Sequence, residues 1–271
     1  MKNKVVLITG ASLGIGYAIA EKLYQAGYIV YGTSRKVTKS HQSFPFKMID
    51  LDVTQDHLVK LAVQKVIDLE GHIDVLINNA GFAIAPAAAE ESSMAQAQSI
   101  FNTNFFDMVR MIQAVIPHMR QQGAGQIINI GSVMGFFPLP YWALYSSTKH
   151  AIRGYSEALS HELRSQNIHV SVIEPTQTKT SLDAHLLEAD LKIPHYDTVR
   201  TQQHLIMEEL MEKSDDPSIV ANKVLLVISK TSPNLNYTTG KSALGFRLVR
   251  QFIPSKISYF AIQKGLKLSK T

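Results

Sequence analysis

The chain has 271 residues, 45% hydrophobic and 18% charged, with no cysteine and a net charge of +5. This composition excludes a disordered chain, and the missing thiols exclude disulfides and thiolate chemistry. No stretch approaches the roughly 18 apolar residues of a membrane span, and the opening apolar run is too short for a secretory signal, so the expected location is cytoplasmic.

The run KVVLIT is short, apolar and rich in β-branched residues, and a glycine follows it. It reads as a buried parallel strand. GIGYAIAEKLYQAG has helical spacing, with Ile15, Ile19 and Leu23 on one face and Gly27 as a natural stop. YIVYGTS is a second strand, FKMIDLDV holds a third, and a helix is expected over 54–70. IDVLINNAG is a fourth strand, and a long helix is expected over 94–121, bent at Pro117. QIINIGS, the helical stretch YWALYSSTKHAIRGYSEALSHELR and the strand IHVSVIEP come next. The alternation predicts an α/β protein with a doubly wound parallel sheet covered by helices on both faces. After Pro175 the sequence turns polar and irregular, with some helical character, over 177–213, a segment expected to act as a lid. A helix is expected over 217–229, and a basic extension from about 240 to 271. Nothing reads as a linker or repeat, so residues 1–271 are taken as one domain.

TGASLGIG joins the first strand to the first helix. Gly10, Gly14 and Gly16 lie where an anion would meet a helix N-terminus: glycine permits close approach and positive φ, and the free N–H groups and helix dipole favour negative charge. The G-x3-G-x-G spacing alone is weak, since most glycine-rich turns are only turns. Its position between strand and helix raises it to a dinucleotide site, and the fold to a Rossmann type. An acid ending the second strand would bind a ribose 2′-hydroxyl and exclude a 2′-phosphate. No acid occurs over 28–40. Instead Arg35 can stack on adenine and pair with phosphate, and Ser12 can donate to the same group. The reading is NADP(H), against the plainer alternative of Arg35 as an ordinary surface residue.

TGASLGIG, NNAG over 78–81, Asn104, Ser132 and YSSTK over 145–149, in this order, resemble the short-chain dehydrogenase/reductase family over about residues 4–180. The resemblance implies cofactor contacts from Gly10, Ser12, Leu13, Gly14, Ile15 and Gly16, from Ser34 and Arg35, and from Asp52 and Val53 beside the adenine. It adds Asn79, Ala80 and Gly81 near the adenosine ribose, and Tyr145, Lys149, Pro175, Thr178 and Thr180 toward the nicotinamide. It implies a catalytic set of Asn104, Ser132, Tyr145 and Lys149, with Lys149 on the nicotinamide ribose and Asn104 holding a water in a proton relay. Two departures stand out. In PTQTKT, Thr176 replaces a glycine and Thr178 an aliphatic residue, and in NFFD, Asp107 stands where glycine is frequent.

A second Tyr–Lys pair, Tyr237 and Lys241 in YTTGK, has the same spacing as Tyr145 and Lys149. With 10 Tyr and 19 Lys in the chain, roughly 0.7 such pairs arise by chance. Tyr145 opens an expected helix, so Lys149 lies one turn along the same face, and Ser132 closes a strand shortly before. Tyr237 has no such company and is assigned to chance or a tail turn. The chemistry suits the first pair. Removing the proton of an alcohol at neutral pH needs a tyrosine titrating below its usual value near 10, and an adjacent ammonium lowers it. Ser132 can hydrogen-bond the reacting oxygen, although a serine ending a strand often only caps a turn.

Between Ser132 and Tyr145 the sequence VMGFFPLPYWAL supplies an apolar wall, with Met134, Phe137 and Trp142 as substrate contacts. The tail sequence NYTTGKSALGFRLVRQFIPSKISYFAI resembles the hydroxysteroid and retinol dehydrogenase-like branch. Together these imply a small apolar carbonyl or alcohol substrate of steroid, retinoid or lipid character. Leu244, Leu248 and Phe252 share a helical face. That face can pack on its own domain or a partner subunit, the favoured reading, or make weak peripheral membrane contact. The family's habit implies a homodimer or homotetramer through the helices near 94–121 and 142–165. His185, His195 and His204 are too scattered for a metal site; neither a metal nor a nucleic acid partner is expected. A non-catalytic NADP(H)-binding redox sensor is the alternative, weakened by the intact set of four catalytic residues.

Overall fold

The computed structural model describes residues 4–35, 37, 43–179 and 186–265. In chain order these form β1 (Val5–Ile8), α1 (Gly14–Gln25), β2 (Ile29–Ser34), β3 (Lys47–Asp50), α2 (Asp56–Glu70) and β4 (Val75–Asn78). Then come α3 (Met94–Phe101), a π-helical turn (Asn102–Phe106), α4 (Asp107–Gln122), β5 (Gly125–Ile130), α5 (Ala143–Leu163) and β6 (Ile168–Pro175). The chain continues through α6 (Asp197–Glu212), α7 (Ser218–Ile228), β7 (Asn236–Thr239), α8 (Ala243–Phe252) and α9 (Ser255–Gly265).

Among the described residues seven parallel strands make one sheet in the order β3-β2-β1-β4-β5-β6-β7. The period-2 alternation of strand side chains sends Val5, Leu7, Leu76 and Ile127 to one face, where they pack with residues of α2, α4 and α5. Val6, Ile8, Ile77 and Ile128 go to the other face, against α1 and α7. Burial on both faces explains why these strands are continuous apolar runs. From β1 the chain winds outward through β2 and β3, then returns to β4 on the far side of β1. This reversal of winding opens a crevice at the carboxyl ends of β1 and β4.

Three elements differ from expectation. The helix expected over 94–121 is divided by the π-helical turn, while Pro117 lies inside α4 without ending it. One missing N–H is tolerated there, whereas the wide turn is tied through its own Asn104 to Phe82 outside it, as described below. A seventh strand appears where a tail turn was expected: NYTT pairs with β6 in the register Val172↔Asn236 to Pro175↔Thr239. Its sequence lacks an apolar run, because only Tyr237 turns into the core among its large side chains. Within 177–213, α6 is a regular helix tied to the body. Glu91, fully buried, accepts from the N–H groups of Ala88 and Ile193 at 2.9 Å each and pairs with Arg200 of α6.

Candidate active site

The turn from β1 to α1 is shaped by its glycines. Gly10 has φ +66°, a conformation other residues rarely adopt, and a Cβ on Gly16 would stand 2.2 Å from the Gly10 carbonyl oxygen. No side chain caps α1, so the first-turn N–H groups are left for an anion. Asn79 fastens this turn from β4: its Nδ2 donates to the carbonyls of Thr9 and Gly10 at 3.0 Å each, and Thr9 Oγ1 accepts from the N–H groups of Asn79 and Ala80. Asn78 donates to Asn129 Oδ1, which sits on β5, and Asn129 donates to Ser156 of α5, both at 2.8 Å.

A cleft runs along these strand ends. It is lined by Gly10, Ser12, Leu13, Gly14, Ile15 and Gly16 from the turn, and by Ser34, Arg35, Asp52 and Val53 from the ends of β2 and β3. Asn79, Ala80, Gly81, Asn104, Tyr145 and Lys149 line it as well. Burial acts to raise the Asp52 carboxyl, but hydrogen bonds from Thr54 and the charges of Arg35 and Arg110 outweigh it and hold the group below its ordinary value. The cleft therefore joins uncapped N–H groups and a glycine cradle at one end, an exposed arginine at its rim, and an ionised carboxylate near both. That donor set fits a dinucleotide phosphate backbone and its adenosine.

The other end of the cleft meets an apolar cavity, and Ile15, Gly131 and Tyr145 border both. All the expected substrate contacts, Ser132, Met134, Phe137, Trp142 and Tyr145, line the cavity. Pro175 and Thr178, expected on the cofactor, also line this cavity rather than the cleft; Thr178 donates to the Thr176 carbonyl at 3.1 Å. Thr180 and His185 lie outside the described residues. Sequence reasoning expected a lid over 177–213 but named no residue of the wall opposite. Ile206, Met207, Leu210 and Met211 of α6 and Phe246 of α8 face into the cavity. The 206/210 and 207/211 spacing is the signal that was available, an apolar stripe with i, i+4 recurrence in an otherwise polar segment.

Tyr145 opens α5, with Trp142 edge-on at 5.9 Å between ring centroids. Lys149, one turn along, is buried; its Nζ lies 5.5 Å from the Tyr145 ring centroid and donates to the Ile130 carbonyl at 3.1 Å. Burial lowers the Lys149 ammonium to about 8, opposed by the charge of Asp107. Ser132 Oγ accepts from the Met134 N–H at 3.2 Å, so it caps a turn and still has its own proton to donate. Asn104 sits in the π-helical turn, where Oδ1 accepts from the Phe82 N–H at 2.9 Å and Nδ2 donates to the Phe82 carbonyl at 2.8 Å and to Thr148 Oγ1 at 3.4 Å. Both amide hydrogens are thus engaged with protein, which leaves water binding to acceptor oxygens. Asp107, noted in the sequence only as a departure, proves to be buried in the same region, with Oδ2 unpartnered among protein atoms. Burial drives its carboxyl well above the ordinary range, against the pull of Lys149 and Arg110.

Tyr237 and Lys241 line neither space. The Tyr237 hydroxyl accepts from the Asn234 N–H at 2.8 Å on β7, and the Lys241 side chain is exposed. Among the described residues no group of three His, Cys, Asp or Glu could hold a metal ion, and no helix is long and apolar enough to cross a membrane.

Known proteins point the same way as this geometry. The family described as short chain dehydrogenase matches residues 4–190. A 3-ketodihydrosphingosine reductase of Bacteroides thetaiotaomicron is 43% identical over 180 residues, 66% of this chain and 66% of that protein, so just under two thirds of the relative is spanned. The uncharacterized oxidoreductase YusZ of Bacillus subtilis is 31% identical over 269 residues, 94% of this chain and 95% of that one. Among solved structures, a short-chain dehydrogenase from Streptomyces avermitilis has a TM-score of 0.80 at 27% identity, covering 100% of this chain and 99% of that one. A structure described as ElxO with NADP bound has a TM-score of 0.74 at 25% identity, covering 90% of this chain and 99% of that one.

Proposed function

The chain belongs to the short-chain dehydrogenase/reductase family and is an oxidoreductase, and from that premise we propose that it interconverts an apolar secondary alcohol and its carbonyl with NADP(H). The observation that carries the proposal is the junction of two spaces at Tyr145: a polar cleft suited to a dinucleotide and an apolar cavity suited to the substrate. When bound, the nicotinamide cofactor supplies or accepts the hydride.

The chain's own residues manage the proton and the charge. In reduction, Tyr145 donates its phenolic proton to the substrate oxygen; in oxidation it takes that proton back. The Lys149 ammonium, one turn away, favours the phenolate and brings the tyrosine toward neutral pH. Ser132 donates to the substrate oxygen while negative charge develops there. Asn104 keeps the loop at Phe82 against the helix that carries Tyr145 and Lys149. Gly10, Gly14 and Gly16 admit the pyrophosphate, and Ser12, Ser34 and Arg35 meet the 2′-phosphate. The substrate class is read as lipid-like, steroid or retinoid. The apolar lining supports this, and so does the relative named as a 3-ketodihydrosphingosine reductase. We read 177–213, containing α6, as the lid over that cavity, within one oxidoreductase domain that pairs with further copies.

The test is NADPH oxidation against a panel of lipid, steroid, retinoid and quinone carbonyls, with NADH in parallel. Turnover confined to one apolar class and faster with NADPH is the expected result. Tight NADPH binding with no turnover on any class would overturn the apolar substrate. Arg35→Ala is expected to weaken NADPH by about 10-fold or more, the worth of a charge-assisted phosphate contact, and NADH by far less. Equal losses would overturn the 2′-phosphate reading.

A further inference from the structure

Helices α8 and α9 have two sides with different fates. The inner side is accounted for. Phe246 and Phe137 lie 5.0 Å apart between ring centroids, and Val249 and Ile262 pack on the cluster of Val133, Phe136 and Phe137. The outer side is not. Leu244, Leu248 and Phe252 recur every four residues along α8 and are 65%, 46% and 70% exposed; Ile257 and Phe260 of α9 follow at 59% and 67%. Arg247, Arg250 and Lys256 stand exposed among them.

Charge selects what covers this face. Residues 217–271 contain nine Lys/Arg and no acid, whereas the rest of the chain carries 18 Lys/Arg against 22 acids. A second copy of the face would set cation against cation with no acid in the segment to pair them. An anionic lipid surface satisfies both halves of the pattern, with apolar side chains in the acyl boundary and cations at the headgroups. We propose that α8 and α9 dock this protein on anionic bilayers. Because Phe246 of α8 also lines the apolar cavity, docking brings the wall of that cavity against the lipid, and an apolar substrate enters from the membrane. The docking stands on the tail alone; the entry route rests on the proposed apolar substrate.

The experiment is co-sedimentation of the full chain with phosphatidylcholine vesicles, with and without about one third phosphatidylglycerol. Turnover of a small water-soluble ketone is measured on the same samples. The wild type should partition at least about tenfold more strongly onto the anionic vesicles and release as salt rises. Phe252→Asp with Phe260→Asp should abolish binding while leaving soluble-ketone turnover intact. Arg250→Glu with Lys256→Glu should weaken binding by about fivefold or more per site, without placing a charge in the apolar stripe. Equal binding to neutral vesicles, or none to either, overturns docking whatever the turnover. So does a drop in solution mass in the Phe252 variant, which would put a second copy on this face. Intact vesicle binding without any turnover leaves docking in place and counts against the proposed alcohol–carbonyl chemistry instead.

Discussion

Tyr145 and Tyr237 each precede a lysine by four residues, and their neighbours decide their chemistry. Tyr145 borders both the cleft and the cavity with a buried ammonium beside its ring, while Tyr237 accepts one backbone hydrogen bond on an edge strand. Tyr145→Phe is expected to lower kcat by about 10²–10⁴ and leave the NADPH Kd within about twofold. Tyr237→Phe should keep kcat and cost about 1 kcal/mol of stability or less through the lost hydrogen bond from the exposed Asn234 N–H; a matching loss of kcat there would reverse the assignment. The side chains proposed as catalytic could be named from the sequence because their order and spacing carry the family's pattern. A role for Asp107 could not, since its importance comes from proximity in space to Lys149. Burial raises Asp107 and lowers Lys149, and the attraction between their charged forms opposes both shifts. Asp107→Asn removes that attraction, so Lys149 should lose its proton below about 8. The alkaline limb of the kcat/KM profile for ketone reduction should move to lower pH. A profile superimposable on the wild type would show that Asp107 does not act on Lys149.

Between elements, the join of α5 to β6 carries a pH signature. Glu174 on β6 is buried and accepts from Arg153 of α5 at 2.7 Å. Burial raises its carboxyl from 4.5 to about 7, outweighing the arginine. A raised carboxyl holds a proton in the folded state that the unfolded chain has already released. The contribution of Glu174 to stability is therefore fully present below 4.5 and is lost as pH rises through about 7, by on the order of 3 kcal/mol. Glu174→Gln is expected to flatten that decline in urea unfolding measured across this window, and parallel curves would rule the carboxyl out as its source. Elements with strong periodicity were readable: the six apolar strands and α1, α2, α5 and α7 lie close to where their patterns put them. β7 hid because NYTT gives no run to recognise, and the break between α3 and α4 hid because it depends on Asn104 reaching Phe82, a contact that no local pattern encodes.

Taken as a whole, the molecule joins a sheet to a cleft whose lining comes from many of its parts. Ligand that binds only the folded state stabilises it by about 2.7 kcal/mol at a hundredfold excess over Kd. At about 2–4 °C per kcal/mol for a chain of this size, saturating NADPH should raise Tm by about 5–10 °C. At equal concentration NADH should raise it by much less, and equal shifts would argue against a preference for the phosphorylated cofactor. The wall shared by the two spaces has one further consequence. Every described residue lining the cleft lies at or before Lys149, whereas the apolar cavity needs Leu186, the stripe of α6 and Phe246. During synthesis, which proceeds from the N-terminus, the ribosome therefore completes the lining of the nucleotide cleft first. The walls of the proposed substrate cavity are still to be translated.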